Sequence, residues 1–183
     1  MESEQYVSPI LAAGAIALVF AALLTILAAE LPGAVAVRRF VTGHGQRAMF
    51  AVAAIAMAGS LYYSNVVGFV PCDLCWYQRI AMYPLAVLLG VTVVSRGRLE
   101  PKYIVAMAGI GLAISIYHYQ LQLFPEQQEF CTSSSVSCTG KYVNQFGFVS
   151  IPFMAGSAFL TVLLLQLAEA RIGYLRSRGL VDA

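Results

Sequence analysis

Five apolar runs, separated by stretches that hold nearly all the charge, dictate what this chain can fold into. They cover residues 7–29, 48–70, 80–95 (with 76–79 as a leading extension), 103–124 and 148–169. An α-helix rises about 1.5 Å per residue, so about twenty apolar residues match the ~30 Å hydrocarbon core of a bilayer. Of the 183 residues, 60% are hydrophobic and only 11% charged, a balance that excludes a soluble domain of this size and marks an integral membrane protein. The formal net charge of +2 is too small for a nucleic-acid-binding surface. The reading is therefore all-α, with a single membrane domain.

The first run raises the question of a signal peptide, because Ala34-Val35-Ala36 resembles a cleavage site. Its leading residues carry Glu2 and Glu4 rather than basic side chains, and it exceeds the usual signal core, so a retained helix is expected. Pro32, Gly33, Gly43 and Gly45 predict a loop over residues 30–47. The second run is rich in small residues, among them Ala53, Ala56, Gly59 and Ser60, which let helices approach closely in lipid. Its far end, Tyr62-Tyr63-Ser64-Asn65, has the aromatic and polar character of a membrane interface. Pro84 is expected to kink the third helix, whereas Pro152 falls in the first turn of the fifth, where proline is best tolerated.

Five crossings distribute the linkers to alternating sides. One side receives Arg38, Arg39, Arg47, Arg96, Arg98, Lys102, Arg171, Arg176 and Arg178, nine of the eleven basic residues; the other keeps Arg79 and Lys141. The positive-inside rule makes the first side cytoplasmic, with the N-terminus outside and the C-terminus inside. All four cysteines, in the pairs Cys72/Cys75 and Cys131/Cys138, then fall on the outer side, where disulfides persist.

Cys72-Asp73-Leu74-Cys75 stands at the border between two spans, after Pro71 and before a helical pattern. Thiols in a first helical turn meet unpaired N–H groups and the positive end of the helix dipole, so the thiol pKa should fall. Arg79 follows Cys75 at i+4 and can share its face, stabilising a thiolate or an anionic ligand. Blander readings exist for each residue: half a zinc site for the cysteines, a snorkelling side chain for Arg79, interfacial anchors for Trp76 and Tyr77. Cys131 and Cys138 flank a small, polar segment suited to meeting an external protein thiol. Two pairs on one face can relay electrons by thiol–disulfide exchange, and the pair at membrane depth suits a lipid-soluble two-electron acceptor such as a quinone. His118, near the outer end of the fourth span, is a further candidate to stabilise quinone oxygen or supply protons; the plain alternative is an interfacial histidine.

These segments together resemble the DsbB family of disulfide-bond-formation proteins. The resemblance is carried by Cys72-Asp73-Leu74-Cys75-Trp76-Tyr77-Gln78-Arg79, Tyr117-His118-Tyr119, Cys131 with Cys138, and Phe146-Gly147-Phe148-Val149-Ser150-Ile151-Pro152-Phe153. It is closest to the short-loop branch often called BdbC and covers residues 48–170. It implies a four-helix transmembrane bundle that reoxidises an extracytoplasmic, thioredoxin-like (DsbA-like) oxidase and passes electrons to ubiquinone or menaquinone in a bacterial cytoplasmic membrane. By position, Cys131 resembles the cysteine that forms the mixed disulfide with the oxidase, and Cys138 its pair-mate, which exchanges with Cys72. Cys75 resembles the cysteine that contacts the quinone, Arg79 the quinone-site arginine, and His118 the histidine near the quinone ring.

The chain departs from the family pattern in two places. The first span is additional to the four-helix bundle, and only six residues separate Cys131 from Cys138. The expected organisation is residues 1–47 as an N-terminal helix and basic cytoplasmic loop, 48–170 as the DsbB-like domain, and 171–183 as a basic cytoplasmic tail. Three rivals stand beside this reading. A vitamin-K-epoxide-reductase-like enzyme would place the cysteine pairs in the opposite order along the chain. A non-enzymatic scaffold would hold zinc on four thiolates. A reductase would send electrons outward.

Overall fold

The computed structural model describes residues 2–31, 33–127 and 136–179. Five long helices make up nearly all of it: α1 (Glu2–Glu30), α2 (Val35–Leu61), α3 (Asp73–Val94), α4 (Pro101–Leu123) and α5 (Ile151–Ser177). Each is long and apolar enough to cross a membrane. Apolar residues run around every helix rather than along one face, the mark of segments whose outer surface meets lipid. Ile55, Ile80, Val91, Ile110 and Ile116 are accordingly exposed on the perimeter.

Helices α2 to α5 form a ring in which each packs on its two neighbours, α2 against α3 and α5, and α4 against α3 and α5. Its core joins Met49 and Ala53 of α2, Leu85 and Leu89 of α3, Ile104 and Ala108 of α4, and Phe159 and Val162 of α5. Close approach at the α4–α5 seam depends on Gly111, where an added Cβ would run into the Phe159 ring. Two hydroxyls inside the bundle bond to their own helices, Ser115 Oγ to Gly111 O at 2.8 Å and Thr161 Oγ1 to Ser157 O at 2.8 Å, which satisfies them within the apolar interior. Helix α1 lies outside the ring, chiefly against α5 and secondarily against α2. The architecture is a four-helix transmembrane bundle with one additional N-terminal helix.

The loop expected over residues 30–47 is much shorter, because α2 starts at Val35. Glycine weakens a helix without stopping one that is packed. Gly45 serves the packing directly, since a side chain there would collide with Glu169 of α5. Arg38 is buried and donates from Nη1 to Ala29 O at 3.0 Å and Leu31 O at 3.3 Å, capping the last carbonyls of α1. The side-chain amide of Gln46 pairs with both backbone groups of Leu99, at 2.8 and 3.0 Å, fixing the α3–α4 linker. Ion pairs Arg98–Glu169 (2.7 Å) and Arg171–Glu30 (2.9 Å) tie the same end together. Helix α5 runs to Ser177, past the expected end of the span, and the segment taken for a tail begins as helix. Helix α3 continues through Pro84.

Candidate functional site

The opposite end of the bundle holds the cysteines. Cys72, in extended conformation, caps α3, and Trp76 N–H donates to Cys72 O at 3.1 Å to close the first turn. Cys75 lies in that turn, so the Cys-x-x-Cys spacing brings the two sulfurs to 3.0 Å; both are free thiols. Cys72 is buried and Cys75 half-buried. The Cys72 thiol is held well below its ordinary range, first by the hydrogen bond from Cys75, with a smaller contribution from His118; together they outweigh burial, which acts the other way. The fall expected from a helix start is thus present at Cys72, with neighbouring side chains as its main source.

Arg79 projects from α3 toward α2, not into open lipid. Its Nε donates to Ser60 Oγ at 3.0 Å, and Nη2 donates to Ser60 O at 3.2 Å and Ser64 Oγ at 2.9 Å. The guanidinium lies over the Trp76 ring, 5.1 Å from its centroid, and Tyr83 Oη donates to the same Ser60 hydroxyl at 3.2 Å. Of these partners, Ser60 lies in the last turn of α2 and Ser64 in a π turn, Tyr62–Val66, that follows it. A π turn widens the helix and shifts its carbonyls off the ordinary ladder, a distortion frequent at functional sites.

His118 is buried on α4. Nδ1 lies 3.5 Å from Gln78 Nε2, and Nε2 lies 3.2 Å from Cys138 O and 3.7 Å from Cys72 Sγ. A carbonyl only accepts and an amide NH₂ only donates, so this network assigns the proton to Nε2 and leaves Nδ1 as acceptor. His118 therefore presents an N–H to Cys72 and to the outer loop at once.

That loop covers the cysteine pair. Cys138 is disulfide-bonded and buried, in one apolar cluster with Cys72, Leu74 and Leu121. Cys131 lies outside the described residues. The loop is held down by Gln122 Nε2 donating to Gly140 O (3.2 Å), by Tyr119 Oη donating to Phe148 O (3.0 Å), and by Tyr142 stacked on Phe69 at 4.6 Å. A tight turn with Phe146 and Gly147 at φ 53° and 80° then pairs Gln145 with Val149 and leads into α5, which begins at Ile151.

Two cavities meet at the cysteines. The larger, about 320 Å³, is walled mainly by apolar side chains of α1, α2, α3 and α5. Cys75, Gln78 and Arg79 of α3 converge on it, with Ser60 and Ser64 beside them, and Tyr63, Tyr83 and Tyr142 also line it. That size and lining fit a small, flat organic molecule with a few acceptor atoms. The smaller, about 20 Å³, lies on the loop side and is lined by Cys72, Cys75, His118 and Gln122. Cys75 borders both cavities, while Cys72 and His118 border only the smaller. His118 is thus brought to Cys72 and the loop, on the other side of the cysteine pair from the larger cavity. As metal donors, Cys72, Cys75 and His118 converge within 4.8 Å among the described residues, while Cys138 is disulfide-bonded.

Sequence reasoning passed over Gln78, Ser60 and Ser64. Gln78 had a signal, since a glutamine well inside an apolar span is costly unless it has a partner. The two serines had only their i,i+4 spacing, which says nothing about the arginine they meet on α3.

The sequence profile of the family described as "Disulfide bond formation protein DsbB" matches residues 44–169, more than half of the chain. The chain is similar to "Probable disulfide formation protein" of Oceanobacillus iheyensis, 51% identical over 120 residues that cover 64% of this chain and 82% of the relative. It is 47% identical to "Disulfide bond formation protein C" of Bacillus subtilis over 64% of this chain and 86% of that one. It is also 42% identical to "Probable disulfide formation protein C" of Halalkalibacterium halodurans, over 63% and 85%. No solved structure matches it.

Proposed function

Because this chain belongs to the DsbB family of disulfide bond formation proteins, we propose that it is a thiol:quinone oxidoreductase that reoxidises a DsbA-like, thioredoxin-fold oxidase outside a bacterial cytoplasmic membrane. Membership supports an oxidoreductase of disulfide formation in the membrane; the vitamin-K-epoxide-reductase-like reading belongs to a different family and is not carried forward. The observation that carries the finer reading is the position of Cys75, one of two reduced thiols, on the border between the loop-side cavity and the larger apolar one. The charge asymmetry of the linkers supports an outer location for this end of the bundle.

Electrons enter at the loop. A thiolate of the reduced oxidase attacks Cys131 of a Cys131–Cys138 disulfide, and Cys138 leaves as thiolate. The oxidase's second thiolate resolves the mixed disulfide, so the oxidase is oxidised and the loop pair reduced. Cys138 then attacks Cys72 of a Cys72–Cys75 disulfide, and Cys75 leaves; attack by Cys131 on Cys138 restores the loop disulfide and frees Cys72. Packing of Cys138 against Cys72 in one buried cluster supports this transfer without a large loop movement. The His118 Nε2–H steadies the Cys72 thiolate as it is released.

The quinone supplies the sink for two electrons and two protons. Around it, Cys75 offers its sulfur at the cavity wall, Arg79 offers positive charge and hydrogen bonds to an acceptor oxygen, and Gln78 offers an amide. Apolar walls keep water from the exchange. Re-formation of the Cys72–Cys75 bond closes the cycle: one dithiol and one quinone become one disulfide and one quinol.

Purified protein in detergent, mixed anaerobically with reduced thioredoxin-like oxidase and a soluble quinone, should consume the quinone absorbance. Cys72→Ser and Cys75→Ser should abolish quinone reduction; Cys131→Ser should block entry from the oxidase. Turnover that survives loss of either inner cysteine would sink the relay. No turnover, together with about one zinc per chain, would favour a metal-holding scaffold.

A further inference from the structure

We propose that α1, which lies outside the residues matched by the family profile, forms one wall of the acceptor cavity, and that Gly14 sets how bulky an acceptor can enter. The inference rests on the quinone reading of that cavity and adds a specificity-determining element to it.

Helix α1 is docked, not adrift. Its buried residues Ser8, Ala12, Ala15, Ala22 and Ala29 form a stripe at spacings of three, four and seven, all small enough for close contact with the bundle. Both ends are fastened. Near the start, Tyr63 Oη donates to Ser8 Oγ at 3.1 Å, both groups buried; Tyr63 belongs to the π turn that also carries Ser64, the partner of Arg79. At the other end Arg38 caps the helix and Arg171 pairs with Glu30.

Beside the buried stripe runs a second face, Ile10, Leu11, Gly14, Ala15 and Leu18, which lines the larger cavity together with Cys75, Gln78 and Arg79 of α3. Without α1 the cavity would lose this wall and open to lipid. A Cβ built at Gly14 meets nothing within 4 Å, so the missing side chain is space in the cavity and not a requirement of packing. By contrast, a Cβ at Gly59 of α2 would already touch Leu11 at 3.5 Å, so α1 closes down on α2 at this level while leaving room at Gly14. A larger residue at position 14 can therefore fill the cavity without pushing α1 off the bundle.

The test is Gly14→Leu, with Gly14→Ala as a graded variant and Phe20→Leu as a control on the exposed face of the same helix. Trp76 is the sole tryptophan and contacts Arg79, so its fluorescence quenching by a quinone reports occupancy without requiring turnover. With a dimethoxy-substituted, decyl-tailed quinone, Gly14→Leu should raise both the dissociation constant and KM at least tenfold, Gly14→Ala less, and Phe20→Leu not at all. For unsubstituted benzoquinone the loss should be several-fold smaller. Reduction of the loop disulfide by the partner oxidase in the absence of quinone should be unchanged, which shows that the variant is folded. If Gly14→Leu binds and reduces both quinones like wild type, the wall assignment is wrong and the quinone reading stands. If wild type itself neither binds nor reduces quinone, both fall.

Discussion

Replacing His118 tests the link between the two cysteine pairs. The Cys72 sulfur owes its lowered pKa first to Cys75 at 3.0 Å and second to His118 Nε2 at 3.7 Å. A hydrogen bond to a charged group contributes about 1.5–3 kcal/mol, and about 1.4 kcal/mol corresponds to one pKa unit. The histidine contact is long, so the low end applies: His118→Phe should raise the Cys72 pKa by about one unit and Cys75→Ala by more. The sign follows from the direction of the shift. A lowered pKa keeps Cys72 as thiolate while pH falls from about 8 to 6, whereas an ordinary thiol near 8.5 loses about tenfold in thiolate per unit. The assay is iodoacetamide alkylation of the reduced protein in detergent, resolved by peptide mass spectrometry at Cys72. Followed from pH 8 down to about 3.5, wild type should hold its rate until the thiolate titrates near pH 4, His118→Phe should lose it about one unit higher, and Cys75→Ala higher still. Midpoints in both variants that coincide with wild type, or a larger shift from His118→Phe than from Cys75→Ala, would refute this ranking of the two neighbours.

Two further outcomes follow from the packing. Arg79→Met removes the charge at the cavity wall and should raise KM for quinone about 10- to 100-fold while leaving loop-disulfide reduction intact, since a charged hydrogen bond is worth about 1.5–3 kcal/mol; wild-type kinetics at limiting quinone would contradict the role given to Arg79. Gly111→Val forces a side chain into the Phe159 ring and should destabilise the bundle by about 1–3 kcal/mol, read as a lower denaturation midpoint in detergent, with partial rescue by Phe159→Leu.

The five crossings were legible because each apolar run carries its own length, and the lipid solvent makes length decisive. Cys72, Cys75 and Arg79 were legible because their spacing is local: i+3 joins two sulfurs and i+4 shares a helix face. What stayed hidden depended on other helices. The π turn at Tyr62–Val66 has no sequence signature of its own, and it carries Ser64, which accepts from Arg79. Gly43 and Gly45 read as breakers, yet α2 passes through them because α5 packs there. His118 could be picked out as chemically apt; only the fold decides that it faces Cys72 and Cys138 O. The role of α1 was equally invisible, because a stripe of alanines does not say which groove it fills.

The most direct test of the account is a single turnover without the partner. Protein reduced at Cys72 and Cys75, with the loop disulfide intact, is mixed anaerobically with one equivalent of a soluble quinone, then acid-quenched and mapped by mass spectrometry. One quinone should be reduced per chain and a new Cys72–Cys75 disulfide should form, with loss of two hydrogens from that peptide. Quinone left oxidised while both thiols remain free would contradict the claim that electrons leave the protein from this pair into the cavity beside it.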